Sequence, residues 1–440
     1  MYSTKNQEEI LQKLGIEKLN SMQEEASLAI SNTNEVVLLS PTGTGKTLAF
    51  LLPIIKSLDK SLHEVQALII APSRELAIQI EQVAREMGTG FKTDVVYGGR
   101  LFSKEKADLK HAPAILVGTP GRVADHLRRN SFFDGDIQTL ILDEFDKSLE
   151  VGFEAEMSEI VGMLPTVNKR ILTSATHGVK IPGFMRMRAP LFVDFLKDKI
   201  TSLTVKKIVS PDKDKLGTLV DTLNFLGNQN GIIFCNFKES IGRISEYLED
   251  KGVAHGLFYG GMEQKERERA LIKFRNGTYK LLIATDLAAR GIDIPELNYI
   301  VHYHLPIKKQ EFTHRNGRTA RMNTDGTAYV LVWEEEKLPD FVTELKPETV
   351  DVLFYQKSKK EDKKSWTTLF ISGGRKDKIS KGDIAGFFFK QGKLKPDELG
   401  TIELKSDCAF VAVPTNKVRL VTQKLNNTKL KKKKVRVQEV

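Results

Sequence analysis

The chain of 440 residues is long enough for about three domains of ordinary size. Its 40% hydrophobic content and mean hydropathy of −0.27 predict a soluble protein, no run of about 18 uncharged apolar residues could span a bilayer, and the polar first residues lack a secretory signal. The net charge of +10 is all at the C-terminus, where residues 366–440 hold 17 Lys+Arg against 7 Asp+Glu and leave 50 of each sign before them, an asymmetry that suits a polyanion, nucleic acid first. The two cysteines, Cys235 and Cys408, show neither metal spacing nor a disulfide framework, so both read as packing residues in a reducing cytoplasm.

Residues 1 to about 30 carry Leu11, Leu14 and Ile16, then Met22, Ala26 and Ala29, at helical spacing. The apolar run 35–39 predicts a strand, Ser40-Pro41-Thr42-Gly43-Thr44-Gly45-Lys46-Thr47 a loop, and 48–52 the helix after it. A strand that breaks into a Gly-containing loop at a helix N-terminus aims successive N–H groups at one spot, which binds phosphate. In that geometry Lys46 reaches the outer phosphates as a point charge, and the Thr47 hydroxyl completes the shell of a Mg2+ that keeps most of its waters. The strict pattern G-x-x-x-x-G-K-[ST] has Gly where this chain has Ser40, so the match is to a variant. A nucleoside triphosphate is the first expected partner.

Segments 67–71, 94–97, 114–117, 139–142 and 169–173 each have the length and composition of a strand buried on both faces, with helical stretches between them. Such alternation predicts a parallel sheet covered by helices, with ligands collecting at the carboxyl ends of the strands. A second set follows residue 200, with strands at 231–235, 280–284, 299–303 and 327–332 and helices at 239–250 and 263–274. Residues 195–213, rich in lysine, read as the joint between two α/β lobes, and any repeat between the lobes is architectural. Residues 356–365 contain no hydrophobe and read as a flexible linker. Beyond it a β-α-β-β-α-β pattern predicts a third, small α+β domain.

Asp143-Glu144-Phe145-Asp146 closes an apolar strand about 95 residues after the phosphate loop. Isolated, such a quartet is a solvated turn; at a strand end near a triphosphate, one acid can hold the metal and the next accept a proton from an attacking water. Asp143 is assigned to the metal and Glu144 to the water. His314 to Arg321 places Arg315, Arg318 and Arg321 at threefold spacing, where one helix face could present them as a clamp for charge building on a transferred phosphoryl group.

With these motifs in hand, the chain resembles a DEAD-box ATP-dependent RNA helicase over about residues 15–335. In that family's order stand Gly15 to Gln23, Ser40 to Thr47, Pro72-Ser73-Arg74-Glu75-Leu76, Gly98-Gly99, Thr119-Pro120-Gly121-Arg122, Asp143 to Asp146, Ser174-Ala175-Thr176, Ile232 to Phe237, Thr285-Asp286 with Ala289 to Asp293, and His314 to Arg321. The tail, through Phe370-Ile371-Ser372-Gly373-Gly374-Arg375-Lys376-Asp377-Lys378-Ile379, is similar to the RNA-binding domain of the bacterial DbpA group.

The resemblance implies two tandem RecA-like domains, 1–199 and 200–350, a basic linker at 351–365 and an RRM-like domain at 366–440. It implies ATP as substrate, held by Gln23 at the adenine, by Thr42, Gly43, Thr44, Gly45, Lys46 and Thr47 around the phosphates, and by Asp293 from the second lobe. Catalysis falls to Lys46, Glu144 and the arginine fingers Arg318 and Arg321, with Mg2+ at Thr47 and Asp143. Asp146, Ser174 and Thr176 couple the acids to movement. Arg74, Gly98, Gly99, Thr119, Arg122 and Thr285 hold one RNA strand by its backbone, and Arg375, Lys376 and Lys378 hold a structured ribosomal RNA. Phe410 reads either as a base-stacking residue or as core, and the run Lys431 to Lys434 either as a solvated edge or as an RNA contact.

The chain departs from the family pattern at Phe145, which replaces Ala; at Asn316 and Ala320, which replace Ile and Gly; at Ser21, which replaces Pro; and at Asn6, where an upstream aromatic is usual. The expected protein is a monomeric cytoplasmic enzyme that uses no membrane and no DNA. Two other readings are an RNA clamp whose ATP state sets residence time and a translocating DNA helicase.

Overall fold

The computed structural model describes residues 6–150, 152–177, 180–196, 203–286, 297–319, 326–352 and 365–440. The chain forms two compact units, dividing after residue 202.

In the first unit, helices α1 (Gln7–Leu14) and α2 (Ser21–Asn32) precede β1 (Glu35–Leu39), α3 (Lys46–Ser57), β2 (Ala67–Ile70), α4 (Arg74–Met87) and β3 (Thr93–Val96). Then come α5 (Phe102–Asp108), β4 (Ile115–Gly118), α6 (Pro120–Arg128), β5 (Thr139–Leu142), α7 (Phe145–Glu150), α8 (Glu154–Met163), β6 (Lys169–Ser174) and β7 (Leu191–Asp194). The seven strands among the described residues are all parallel, in the order β3-β4-β2-β5-β6-β1-β7. Residues of β2, β4 and β5 are buried without exception, which is why these segments read as continuous apolar runs. Alternate side chains supply two cores, one with α1 to α4 and the other with α6 and α8. Burying each Leu or Ile there contributes about 1.5–3 kcal/mol.

The second unit opens with β8 (Leu203–Ser210), followed by α9 (Leu216–Leu226), β9 (Gly231–Cys235), α10 (Lys238–Asp250), β10 (Gly256–Phe258), α11 (Gln264–Arg275), β11 (Leu281–Thr285), β12 (Tyr299–His302), α12 (Lys309–Asn316), β13 (Gly326–Trp333), the single turn α13 (Asp340–Thr343) and β14 (Glu348–Thr349). The sheet order β10-β11-β9-β12-β13-β8-β14 is the first sheet's order with seven added to each label, so the two lobes share one parallel topology. All of β8 lies in the stretch read from sequence as a joint, residues 195–213. It pairs with β13 along its whole length, and on the other side only with the two-residue β14, so Lys206 and Lys207 stay half-exposed.

The same unit carries the small domain: β15 (Trp366–Ile371), α14 (Lys381–Lys390), β16 (Ile402–Leu404), β17 (Ala409–Pro414), α15 (Val418–Leu425), the hairpin β18 (Thr428–Leu430) and β19 (Lys433–Val435), and β20 (Val437–Glu439). Its antiparallel sheet, β16-β17-β15-β20, is the RRM-like arrangement. The hairpin is an addition that the sequence pattern does not announce. Leu369, Ile371, Val411 and Val413 pack on one sheet face with Ile384, Phe388, Val421 and Leu425 of the two helices. No helix among the described residues is long and apolar enough to cross a membrane.

Candidate active site and nucleic-acid interface

Strand β6 lies between β5 and β1, so the loop after β1, the acids after β5 and the hydroxyls closing β6 occupy one edge of the first sheet. The Ser40 N–H donates to the Ser174 carbonyl at 3.0 Å, joining two of these segments directly. Lys46 opens α3, and its ammonium donates to the Ser40 and Pro41 carbonyls at 2.6 and 2.8 Å. The Thr44 hydroxyl lies 2.8 Å from that of Ser40 and donates to Pro41 O at 2.9 Å. The loop is therefore closed on itself by its own polar side chains, with Thr47 in the first turn of the helix.

Gln23 stands beside this loop for a reason rooted in helix capping. Asn20 caps α2 by accepting from the Gln23 N–H at 2.9 Å, and Gln23 Oε1 accepts in return from the Asn20 N–H at 3.0 Å. The remaining amide groups face the loop: Gln23 Nε2 donates to Gly45 O at 3.3 Å and Asn20 Nδ2 to Thr44 O at 3.2 Å. Gly45 has φ 85°, the conformation that calls for glycine, and a Cβ there would lie 2.3 Å from Gln23 Nε2 and displace that amide. Asn6, where the family has an aromatic, caps α1 in a second capping box with Glu9.

Asp143 is buried, and its N–H donates to Ile70 O at 2.9 Å. Glu144 adopts φ 48°, a left-handed conformation uncommon outside glycine that costs backbone strain unless its surroundings hold it. The Glu144 N–H thereby donates to Thr173 Oγ1 at 3.1 Å, while that hydroxyl donates to Asp143 Oδ1. Thr173 is a site residue that the sequence motif, beginning at Ser174, passes over. Burial raises the Asp143 carboxyl above the usual range, and the Thr173 hydroxyl and the Lys46 ammonium favour the ionised form against it.

Thr176 donates to Asp146 Oδ2 at 2.9 Å, and the Ser174 hydroxyl accepts from the Thr176 N–H at 3.0 Å. Phe145 does not crowd these acids, because its ring is buried in the apolar cluster with Leu142 and Met157.

Strands β2, β3 and β4 bring the expected RNA contacts to the same end of the sheet. Arg74 begins α4 behind the cap of Ser73, and its guanidinium lies over the glycine pair. A Cβ on Gly98 would come within 3.2 Å of Arg74 Nη2, and one on Gly99, at φ 94°, within 2.9 Å of Nη1. Thr119 is the N-cap of α6, yet its hydroxyl does not cap the helix. Arg122 is drawn inward: its Nε lies 2.8 Å from Glu105 Oε2, and Nη2 donates to Arg100 O.

In the second lobe Thr285 ends β11. The expectation that Arg315, Arg318 and Arg321 share a face is corrected at Arg315, which is fully buried. It forks Asp286 at 2.5 Å through Nε and Nη2 and also donates to His304 O at 2.6 Å and Asn236 Oδ1 at 2.8 Å. With its donors met from three segments, it ties the lobe together. Arg318 is also buried and follows the helix end. Asp293 and Arg321 lie outside the described residues. Asn316 Oδ1 accepts from His302 Nε2 at 2.9 Å, so the residue that replaces Ile has a buried polar partner.

Tyr259-Gly260-Gly261 follows β10 as Tyr97-Gly98-Gly99 follows β3; the repeated tripeptide is the signal that could have marked it as a counterpart. Burial pushes the Cys235 thiol up to about 12 and that of Cys408 to about 11, as suits packing residues.

In the third domain Arg375 and Lys376 form a single turn with Lys378 after it, and Arg375 donates to Leu404 O at 2.6 Å. Two lysines of the 431–434 run are tied back, Lys431 to Asp383 and Lys433 to Asp377, both at 2.7 Å. Phe410 is buried, as its core reading expects, but outside the cluster beneath the two helices. It lies on the sheet face away from the helices, edge-to-face with Phe370 at 5.7 Å, and that face meets the second lobe. There Arg275 forks Glu403 at 2.6 and 3.0 Å, and Thr368 bonds Thr278 at 2.7 Å and Asn276 at 3.2 Å.

Residues 20–181 match the DEAD/DEAH box helicase family, 214–323 the helicase conserved C-terminal domain, and 368–439 the DbpA RNA binding domain. The ATP-dependent RNA helicase DbpA of Bacillus subtilis (strain 168) is 31% identical, covering 97% of this chain and 96% of that protein; its namesake from Escherichia coli (strain K12) is 30% identical, covering 97% and 95%. Among solved structures, S. cerevisiae Dbp5 bound to RNA and ADP BeF3 superposes with a TM-score of 0.69 at 25% identity, over 78% of this chain and 94% of that one. Mss116p bound to ssRNA and AMP-PNP gives 0.70 at 26%, over 79% and 78%. With two RecA-like lobes matched to the helicase family models, a third domain matched to the DbpA RNA binding domain, and full-length relatives at about 30% identity, this chain belongs to the DEAD-box ATP-dependent RNA helicases, within the DbpA-like group.

Proposed function

We propose that the protein couples RNA-stimulated ATP hydrolysis to local opening of short RNA duplexes on structured ribosomal RNA during ribosome assembly, acting as a cytoplasmic monomer. The observation that carries the chemistry is the convergence of Lys46, Asp143, Glu144 and Thr176 at the ends of β1, β5 and β6. Glu144 orients and deprotonates the attacking water, its backbone held left-handed by Thr173, and Lys46 leaves its loop carbonyls for the outer phosphates. Asp143 fits a divalent cation: a carboxylate desolvated at this depth is stabilised by added positive charge. Mg2+ held by Asp143 and Thr47, largely through water, would neutralise charge on the phosphates. Arg318 and Arg321 act as arginine fingers, and Asp293 faces the nucleotide. Arg74, Thr119, Arg122 and Thr285, with the Gly98 and Gly99 amides, hold the sugar-phosphate backbone of one strand, while Arg375, Lys376 and Lys378 anchor the target RNA.

ATPase assays with and without RNA test this reading. Glu144→Gln is expected to lower kcat by at least about 100-fold while ATP and RNA still bind, and Arg318→Ala to lose about 1000-fold. Turnover without RNA, or near-normal rates in both variants, would refute it.

A further inference from the structure

The first lobe holds a buried acid that the hydrolytic site does not use. Glu105 sits on α5 with its carboxylate 1% exposed. Its Oε1 accepts from the Tyr97 N–H at 3.2 Å, the residue that opens the Gly98-Gly99 turn. Its Oε2 lies 2.8 Å from Arg122 Nε and 3.1 Å from His126 Nε2, both on α6. Arg100, just past the glycine pair, completes the ring, with Nη1 at 4.0 Å from Oε1 and its carbonyl accepting from Arg122 Nη2. The aromatic neighbours are equally shared: Phe102 stacks on His126 at 4.4 Å, and the Arg122 and Arg129 guanidinia lie over the Phe102 ring at 5.5 and 4.5 Å.

One carboxylate therefore links the turn that leaves β3 to helix α6, which follows β4 and the loop residue Thr119. Those segments hold the glycine amides on one side and Thr119 on the other. Backbone recognition of a nucleic acid depends on the spacing of successive donors, because each must meet its own phosphate. A buried carboxylate with several partners is a stiff spacer, since moving either segment would strand charge in a low-dielectric site.

We propose that Glu105 is a positioning residue for RNA, fixing the Gly98-Gly99 turn against Thr119 and Arg122 so that their donors match consecutive phosphates. This rests on the reading of those loops as RNA contacts. Glu105 itself touches no RNA. Its influence falls on RNA affinity, not on hydrolysis.

The test uses the full chain and a single-stranded oligoribonucleotide, reading ATPase rate against RNA concentration. Glu105→Gln keeps the acceptor for the Tyr97 N–H but removes the charge that holds Arg122. It is expected to raise the half-saturating RNA concentration by about tenfold, while kcat at saturating RNA and affinity for a fluorescent ATP analogue stay within about twofold. In an Arg122→Ala background the same substitution is expected to add little, because the two act as one unit. Wild-type half-saturation in Glu105→Gln, a fall in kcat alone, or full additivity with Arg122→Ala would overturn the proposal. Arg74→Ala separates the two levels: if it weakens RNA and Glu105→Gln does not, only the positioning role fails. If Arg74→Ala leaves half-saturation unchanged, the reading of these loops as RNA contacts fails, and the positioning role with it.

Discussion

Thr173 shows how one hydroxyl can govern two acids. It gives its proton to Asp143 and its lone pair to the Glu144 amide, so it both stabilises a buried carboxylate and holds the next residue in a conformation it would not otherwise keep. Thr173→Val has the same shape and neither function. Leaving a buried donor and acceptor unmet costs about 1–3 kcal/mol, and a Glu144 released from its left-handed geometry misplaces the carboxylate proposed above as the proton acceptor. Urea unfolding is expected to show a loss of that size in the first lobe, and single-turnover hydrolysis a drop of about 10- to 100-fold. Unchanged turnover would show that Glu144 keeps its geometry without the threonine. Neither the left-handed backbone nor the inward turn of Arg315 is legible in the sequence. Both arise from partners supplied by other strands, whereas the acids and arginines themselves stand in plain sequence order.

Elements were readable where burial is complete on both faces. Strands such as β2, β5 and β9 are unbroken apolar runs bounded by turns, and their period leaves little choice. The segment β8 escapes because its partner on one side is so short that lysines tolerate the position, and β10 because three residues beginning with Gly256 carry too little pattern. The pair β12 and α12 carries a pH-dependent contribution. His302 is buried against Phe312 at 4.8 Å, and burial with the nearby Arg315 charge pushes its imidazole down to about 3; His304 falls to about 4 for similar causes. For His302 the folded value lies below the ordinary 6.5, so the unfolded chain binds the proton first. Its stabilising effect is whole above pH 6.5 and declines as pH falls towards 3. At pH 5 the loss from His302 is about 2 kcal/mol. Thermal melts at pH 7 and pH 5 are expected to diverge more for the native protein than for His302→Gln, and equal pH sensitivity would exclude this cause.

At the scale of the whole molecule, the small domain is mounted on the second lobe as well as linked to it in sequence. Arg275 and Glu403 are both largely shielded, and the hydroxyls of Thr278 and Thr368 lie beside them. The contact uses the sheet face on which an RRM would ordinarily stack bases on its aromatics, so Phe370 and Phe410 belong to a covered face. Double substitution, Arg275→Ala with Glu403→Ala, is expected to speed amide hydrogen exchange across Trp366 to Phe370 by about tenfold while leaving the domain folded. Exchange at the native rate would mean that the remaining contacts suffice. A reader bolted to the second lobe in this way would do more, under the function proposed above, than keep that lobe close to a target. Each grip on an RNA landmark would also set a heading, because the lobe that carries the reader turns with it.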